Sequence, residues 1–138
     1  MEYQINSVSF LAPEFKIMMQ ALSILDCSKT TVVRNFSHHS INFIPDPLNL
    51  DKELMEIRFN DVTVTYVINN QDICCTGYLF FDDISDLESY LDVCNKCFET
   101  VTPNSWKYKD CCIELLKEGK DFYFVFTPIS LLSPTTST

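Results

Sequence analysis

The sequence predicts an α+β protein: an antiparallel sheet of about five to seven strands, with a central meander over residues 55–81, and two helices, at about 13–25 and 86–101, packed on it. Three observations carry this reading. Met55, Ile57 and Phe59 alternate with Glu56 and Arg58, and Val62, Val64, Tyr66 and Ile68 alternate with Thr63 and Thr65, which is the period of strands with one buried face. Asn60-Asp61 and Asn69-Asn70-Gln71-Asp72, which follow these runs, have the composition of turns. Two other stretches, after Pro13 and after Ser85, repeat their apolar residues at three- and four-residue steps, the period of a helix.

Taken in chain order, Ser7 to Leu11 alternates enough for a short strand. Pro13 then suits a first helical position, where its missing N–H would be unpaired anyway. The helix that follows places Phe15, Met18, Met19, Leu22 and Leu25 on one face. Thr30 to Phe36 and Ser40 to Ile44 are rich in β-branched and aromatic residues around a polar Ser37-His38-His39, and read as a hairpin. Pro45-Asp46-Pro47 ends that pairing.

Ile73 to Phe81 adds the third meander strand, with Gly77 marking a bulge or a close approach. Ser85 with Glu88 three residues on fits a capping box, and Asp82, Asp83 and Asp86 suit the positive end of a helix dipole. The stripe Leu87, Tyr90, Leu91, Cys94, Cys97, Phe98 and Val101 continues the helix until Thr102-Pro103. Cys111 to Leu116 fits either period. A loop at Glu118-Gly119 favours a hairpin that sets Leu115 against Phe122, Ile113 against Phe124 and Cys111 against Phe126. Residues 1–132 are thus expected to form one domain, and Ser133 to Thr138, with nothing to bury, a frayed tail.

At 138 residues the chain can bury a core without disulfides or a structural metal. Its net charge of −9 disfavours direct contact with nucleic acid or an anionic membrane surface. Seven cysteines, an odd count, and no secretory signal point to reduced thiols in the cytoplasm, and the sequence carries no spanning segment or lipidation pattern.

Motifs that would carry chemistry are weak. The C-x-x-C of Cys94 and Cys97 lies inside an apolar helical stripe, and Cys74-Cys75 and Cys111-Cys112 are adjacent pairs whose side chains diverge in a strand, so buried thiols explain them better than zinc. His38-His39 has no third group to orient it. Pro45-Asp46 with Glu56-Ile57-Arg58 approaches the carboxylate pair and lysine of metal-dependent nucleases. Arginine, which stays protonated, stands where the lysine should be. With two glycines in the chain there is no phosphate loop. No catalytic residue, metal or cofactor is expected, and a small metal-dependent hydrolase or nuclease is the alternative from the enzyme class.

The charge pattern is more specific. Residues 59–95 contain seven carboxylates and no lysine or arginine, and Asp82, Asp83, Asp86, Glu88 and Asp92 fall within eleven residues. Ordinary solvated faces mix both signs, so a one-sign patch fits a basic protein partner. These five residues are therefore the candidate partner-binding set. A small, acidic α+β chain of this kind resembles in general character, though through no residue motif, the immunity proteins that neutralise bacterial toxins, particularly nucleases with basic clefts. The alternative in the same class is a phage or viral inhibitor of a host nucleic-acid-binding protein.

Overall fold

The computed structural model describes residues 12–49 and 51–131. Within them the chain runs through α1 (Pro13–Ser23), α2 (Lys29–Asn35) and the strands β1 (Ile41–Pro45), β2 (Glu53–Phe59), β3 (Val62–Ile68) and β4 (Cys74–Phe81). A 3-10 turn, Ile84–Asp86, leads into α3 (Leu87–Cys97). Then come β5 (Glu99–Thr102), β6 (Ser105–Tyr108), β7 (Cys111–Glu118) and β8 (Asp121–Pro128), and a closing 3-10 turn, Ile129–Leu131. The strands form one antiparallel sheet in the order β1-β2-β3-β4-β8-β7-β6-β5. Each half of the chain is a helical segment followed by a four-strand meander, and the halves join where β4 pairs with β8.

The α+β class and the central meander are as the sequence predicts. The counts are corrected: the described residues hold eight strands rather than five to seven, and three helices rather than two. The β2–β3 hairpin turns on Asn60-Asp61, with Asn60 at φ 49°, a backbone region that asparagine tolerates better than most residues.

The segment read as a strand over Thr30 to Phe36 is α2. Ser28 caps it, its hydroxyl accepting the Thr31 N–H at 3.2 Å, and Val32 is buried beneath it. Ser40 to Ile44 does supply β1, but its partner is β2, with Ile41 opposite Ile57 and Phe43 opposite Met55. The second predicted helix ends at Cys97 instead of 101. Phe98 turns extended, and Glu99–Thr102, rich in β-branched residues, pairs with β6 as the sheet's edge. The Ser85 capping box does not form: the helix's N-cap residue is Asp86, without a side-chain cap, and Asp83 caps the preceding 3-10 turn, its carboxylate accepting the Ser85 N–H at 3.0 Å. The C-terminal hairpin forms, but Gly119, at φ 64°, and Lys120 make its turn. Leu115 therefore faces Phe124, Ile113 faces Phe126 and Cys111 faces Pro128, two residues from the expected register, a shift that keeps every side chain on its face. The strand expected at Ser7 to Leu11 and the tail from 133 lie outside the described residues.

The helices cover one face of the sheet. Met18, Ala21 and Leu22 of α1 and Tyr90, Val93 and Cys94 of α3 share a buried cluster with Met55, Ile57, Val64, Tyr66, Leu79, Trp106, Ile113, Phe124 and Phe126. Burying side chains of this size contributes ~1.5–3 kcal/mol each. No glycine ends α1, so its last carbonyls find other donors. The Ser23 hydroxyl donates to Gln20 O at 2.7 Å and the Tyr66 hydroxyl to Ala21 O at 2.5 Å. The Leu25 N–H reaches Leu22 O at 3.3 Å, and the Cys27 thiol reaches Ser23 O at 3.3 Å. Tyr66 thus ties the helix end to the centre of the sheet.

Candidate functional site

The same alternation that buries one side of β3, β4 and β8 sends Thr65, Tyr78, Phe80, Tyr123 and Val125 to the other. Register brings these together: Thr65 lies opposite Tyr78, Tyr78 opposite Val125 and Phe80 opposite Tyr123. The rings of Phe80 and Tyr123 are 5.6 Å apart, and Tyr78 lies 6.5 Å from each. They form the floor of an open groove of about 1040 Å³ whose apolar lining also includes Leu54 and Ile84, while Asp82, Asp83, Glu118 and Asp121 also line it. Phe80 is 43% exposed, a large share for a phenylalanine in mid-sheet.

The structure divides the five carboxylates singled out by sequence. Asp82 and Asp83 line the groove. Asp82 is not free of cations: both of its oxygens accept from the Arg58 guanidinium, one at 2.7 Å. That hydrogen-bonded pair lowers the Asp82 pKa and raises that of Arg58. Arg58 comes from β2, on the same outward face by way of Thr63 and Phe80, so tertiary pairing answers a charge that looked unanswered along the chain. Asp92 is paired with Lys96 one turn on, at 3.2 Å, an exposed contact of little energetic consequence. Glu88 is exposed on the first turn of α3. The expectation of five unpaired carboxylates is thus corrected at Asp82 and Asp92.

Asp83 and Asp86 belong to a different grouping. Hydrogen bonds from the Ser85 backbone and side chain hold the Asp83 carboxyl below the usual carboxylate range. Asp86 is shifted the other way: its carboxyl hydrogen-bonds that of Asp61, and partial burial and the charges of Asp61, Asp83 and Glu14 add to the rise. The main chain brings Asp61 here, since its carbonyl accepts the Asp82 N–H at 3.2 Å. Sequence reasoning gave Glu14 no part in the site and Asp61 only a place in the turn after Phe59, because their convergence depends on how α1 and the β2–β3 turn meet the start of α3.

The weaker motifs acquire structural roles. His39 packs against Phe36 and Phe59, with Nδ1 3.2 Å from the Arg58 carbonyl. Asp46 closes a local turn by accepting the Leu48 N–H at 2.9 Å, and Arg58 is engaged with Asp82, so neither is arranged as in a nuclease centre. Cys74 and Cys94 are fully buried, and burial pushes the Cys74 thiol up to about 12 and Cys94 up as well. Among the described residues no group of three or more His, Cys, Asp or Glu is arranged to hold a metal ion, and no helix is long and apolar enough to cross a membrane.

No family model, curated protein or solved structure matches this chain.

Proposed function

We propose that this chain is a non-enzymatic binding protein of the immunity type, acting in the cytoplasm without a cofactor. It neutralises a bacterial toxin, a nuclease being the fitting case, by covering the toxin's basic surface and blocking its active site. The observation that carries the reading is the groove on the outward sheet face. A floor of Tyr78, Phe80 and Tyr123 offers the aromatic area that dominates protein–protein affinity. Asp83, Glu118 and Asp121 beside it offer carboxylates to lysines and arginines that would otherwise hold phosphates. A cleft that binds nucleic acid is basic, and the net charge of −9 draws such a surface in from a distance.

The test is capture from the native cells with the unaltered chain and two variants in parallel. Phe80→Ala should weaken the captured complex mainly through faster dissociation, and Asp83→Lys should slow association and flatten its dependence on salt. The captured protein should lose its own activity on saturation. A partner bound equally well by all three chains, or left fully active in the complex, overturns the proposal.

A further inference from the structure

Glu14 on the first turn of α1, Asp61 in the β2–β3 turn, and Asp83 and Asp86 before α3 converge at one end of the sheet. Among the described residues none of the four has a salt-bridge partner; Arg58, whose charge reaches Asp61, is committed to Asp82. An acidic grouping alone says little, since carboxylates at a helix start are ordinary. A second observation lies beneath it. Tyr90 is fully buried, and its hydroxyl is the one buried side-chain polar atom among the described residues without a hydrogen-bond partner. Orphaned groups of this kind are costly and call for an explanation.

Tyr90 lies in the first turn of α3, four residues after Asp86, the N-cap residue of that helix, and helical side chains lean toward the N-terminus, the end at which Asp86 sits. Phe81 holds the ring edge-on at 5.3 Å. The charges acting on the hydroxyl are, in order of strength, those of Asp61, Glu14 and Asp86. These carboxylates are not arranged to ligate one metal ion. A planar guanidinium, with five N–H donors spread over a rigid fork, spans acceptors that a single small ion cannot.

We propose that Glu14, Asp61 and Asp86, with the Tyr90 hydroxyl as the floor, form a receiving site for one arginine side chain of a partner protein. The site rests on the reading of a basic partner given above and names the residue type that anchors it. Asp83, which also lines the groove, connects the two, so that a partner seated on the aromatic floor reaches the anchor site across the 82–86 turn. On binding, the guanidinium N–H groups donate to the Asp61 and Asp86 carboxylates and offset the repulsion between them.

The probe is a tetra-arginine peptide, followed by carboxyl ¹³C NMR and calorimetry on the intact chain. The Asp86 carboxyl should titrate above the ordinary aspartate range in the free protein and drop when the peptide is added. Tyr90→Phe and Asp86→Asn should each weaken binding by about tenfold, the loss expected for one charge-assisted hydrogen bond, while Asp92→Asn leaves it unchanged. Tetra-lysine should bind more weakly, and magnesium chloride at matched ionic strength should not compete. Tyr90→Phe removes an unpaired hydroxyl, so the fold survives it. Affinity unchanged by either Tyr90→Phe or Asp86→Asn, or competition by magnesium, overturns the site. If Phe80→Ala still weakens the captured partner in that case, the groove reading stands and the arginine anchor alone falls; loss at Tyr90 and Asp86 with no effect of Phe80→Ala has the opposite meaning.

Discussion

Gly77→Ala tests the packing at the centre of the sheet. A β-carbon built on Gly77 would lie 2.9 and 3.1 Å from the Tyr66 ring and 3.3 Å from the Phe126 ring. The Tyr66 ring cannot simply move aside, because it is fully buried and its hydroxyl is tied to Ala21 O at 2.5 Å. Overpacking of this kind costs ~1–3 kcal/mol, against which a stiffer unfolded chain returns ~0.4–1 kcal/mol, so the net loss at mid-range is about 1.3 kcal/mol. Unfolding entropy of about 2.1 cal/mol/K per residue over 138 residues makes that a fall in Tm of roughly 4–5 °C. The assay is urea and thermal unfolding by circular dichroism, run as a double-mutant cycle with Tyr66→Phe. Tyr66→Phe alone should cost ~1–2 kcal/mol by leaving the Ala21 carbonyl without its donor. With the tether gone the ring can shift, so Gly77→Ala should cost less when Tyr66→Phe is already in place. A Gly77→Ala loss within ~0.5 kcal/mol of zero, or strict additivity of the two changes, refutes the reasoning.

Trp106, the one tryptophan, is buried and donates from Nε1 to Asn95 Oδ1 at 2.9 Å; Trp106→Phe should cost ~1–3 kcal/mol in urea unfolding, and native fluorescence should be blue-shifted and poorly quenched by acrylamide. Asp86 has a raised pKa in the folded chain, so the folded state binds the extra proton between the ordinary aspartate value and the folded one, and stability falls as pH rises through that window. Asp82 and Asp83, shifted down, act oppositely: the stability they contribute is present above the ordinary value and lost as pH falls through their folded values. Asp86→Asn should therefore stabilise the chain more at pH 7 than at pH 4 in urea unfolding, and an equal effect at both would contradict the shift. Native alkylation by iodoacetamide, mapped by mass spectrometry, should be at least ~10-fold slower at Cys74 and Cys94 than at the half-buried Cys75 and Cys112; equal rates would show that the core opens on the labelling timescale.

Elements specified by their own residues were legible in the sequence. The β2–β3 hairpin needs only alternation and the Asn60-Asp61 turn, and α1 needs only Pro13 and its apolar stripe. Where a segment's composition and its surroundings disagree, the surroundings decide. The β-branched run Thr30 to Val33 reads as a strand, yet the Ser28 cap and the burial of Val32 make it a helix. Val101 continues the helical period of α3 but is 60% exposed on an edge strand. The site divides in the same way. The acidic run was visible, but Arg58, Asp61 and Glu14, which decide what each carboxylate does, arrive from other elements. The aromatic groove left one readable sign: Tyr78, Phe80 and Tyr123 stand where one-sided strands would carry polar residues.

The arrangement of the sheet also bears on how the chain reaches its native state. Every pairing joins consecutive strands except that of β4 with β8, which closes across α3 and three intervening strands. Each meander can zip from its own turns at little loop entropy, so the docking of two preassembled halves should limit the folding rate. Phe80 and Tyr123 face one another across that seam. Residues of the proposed partner-binding groove are therefore among those expected to come together last, and cutting the chain at the exposed 82–85 turn should yield two fragments that associate with each other.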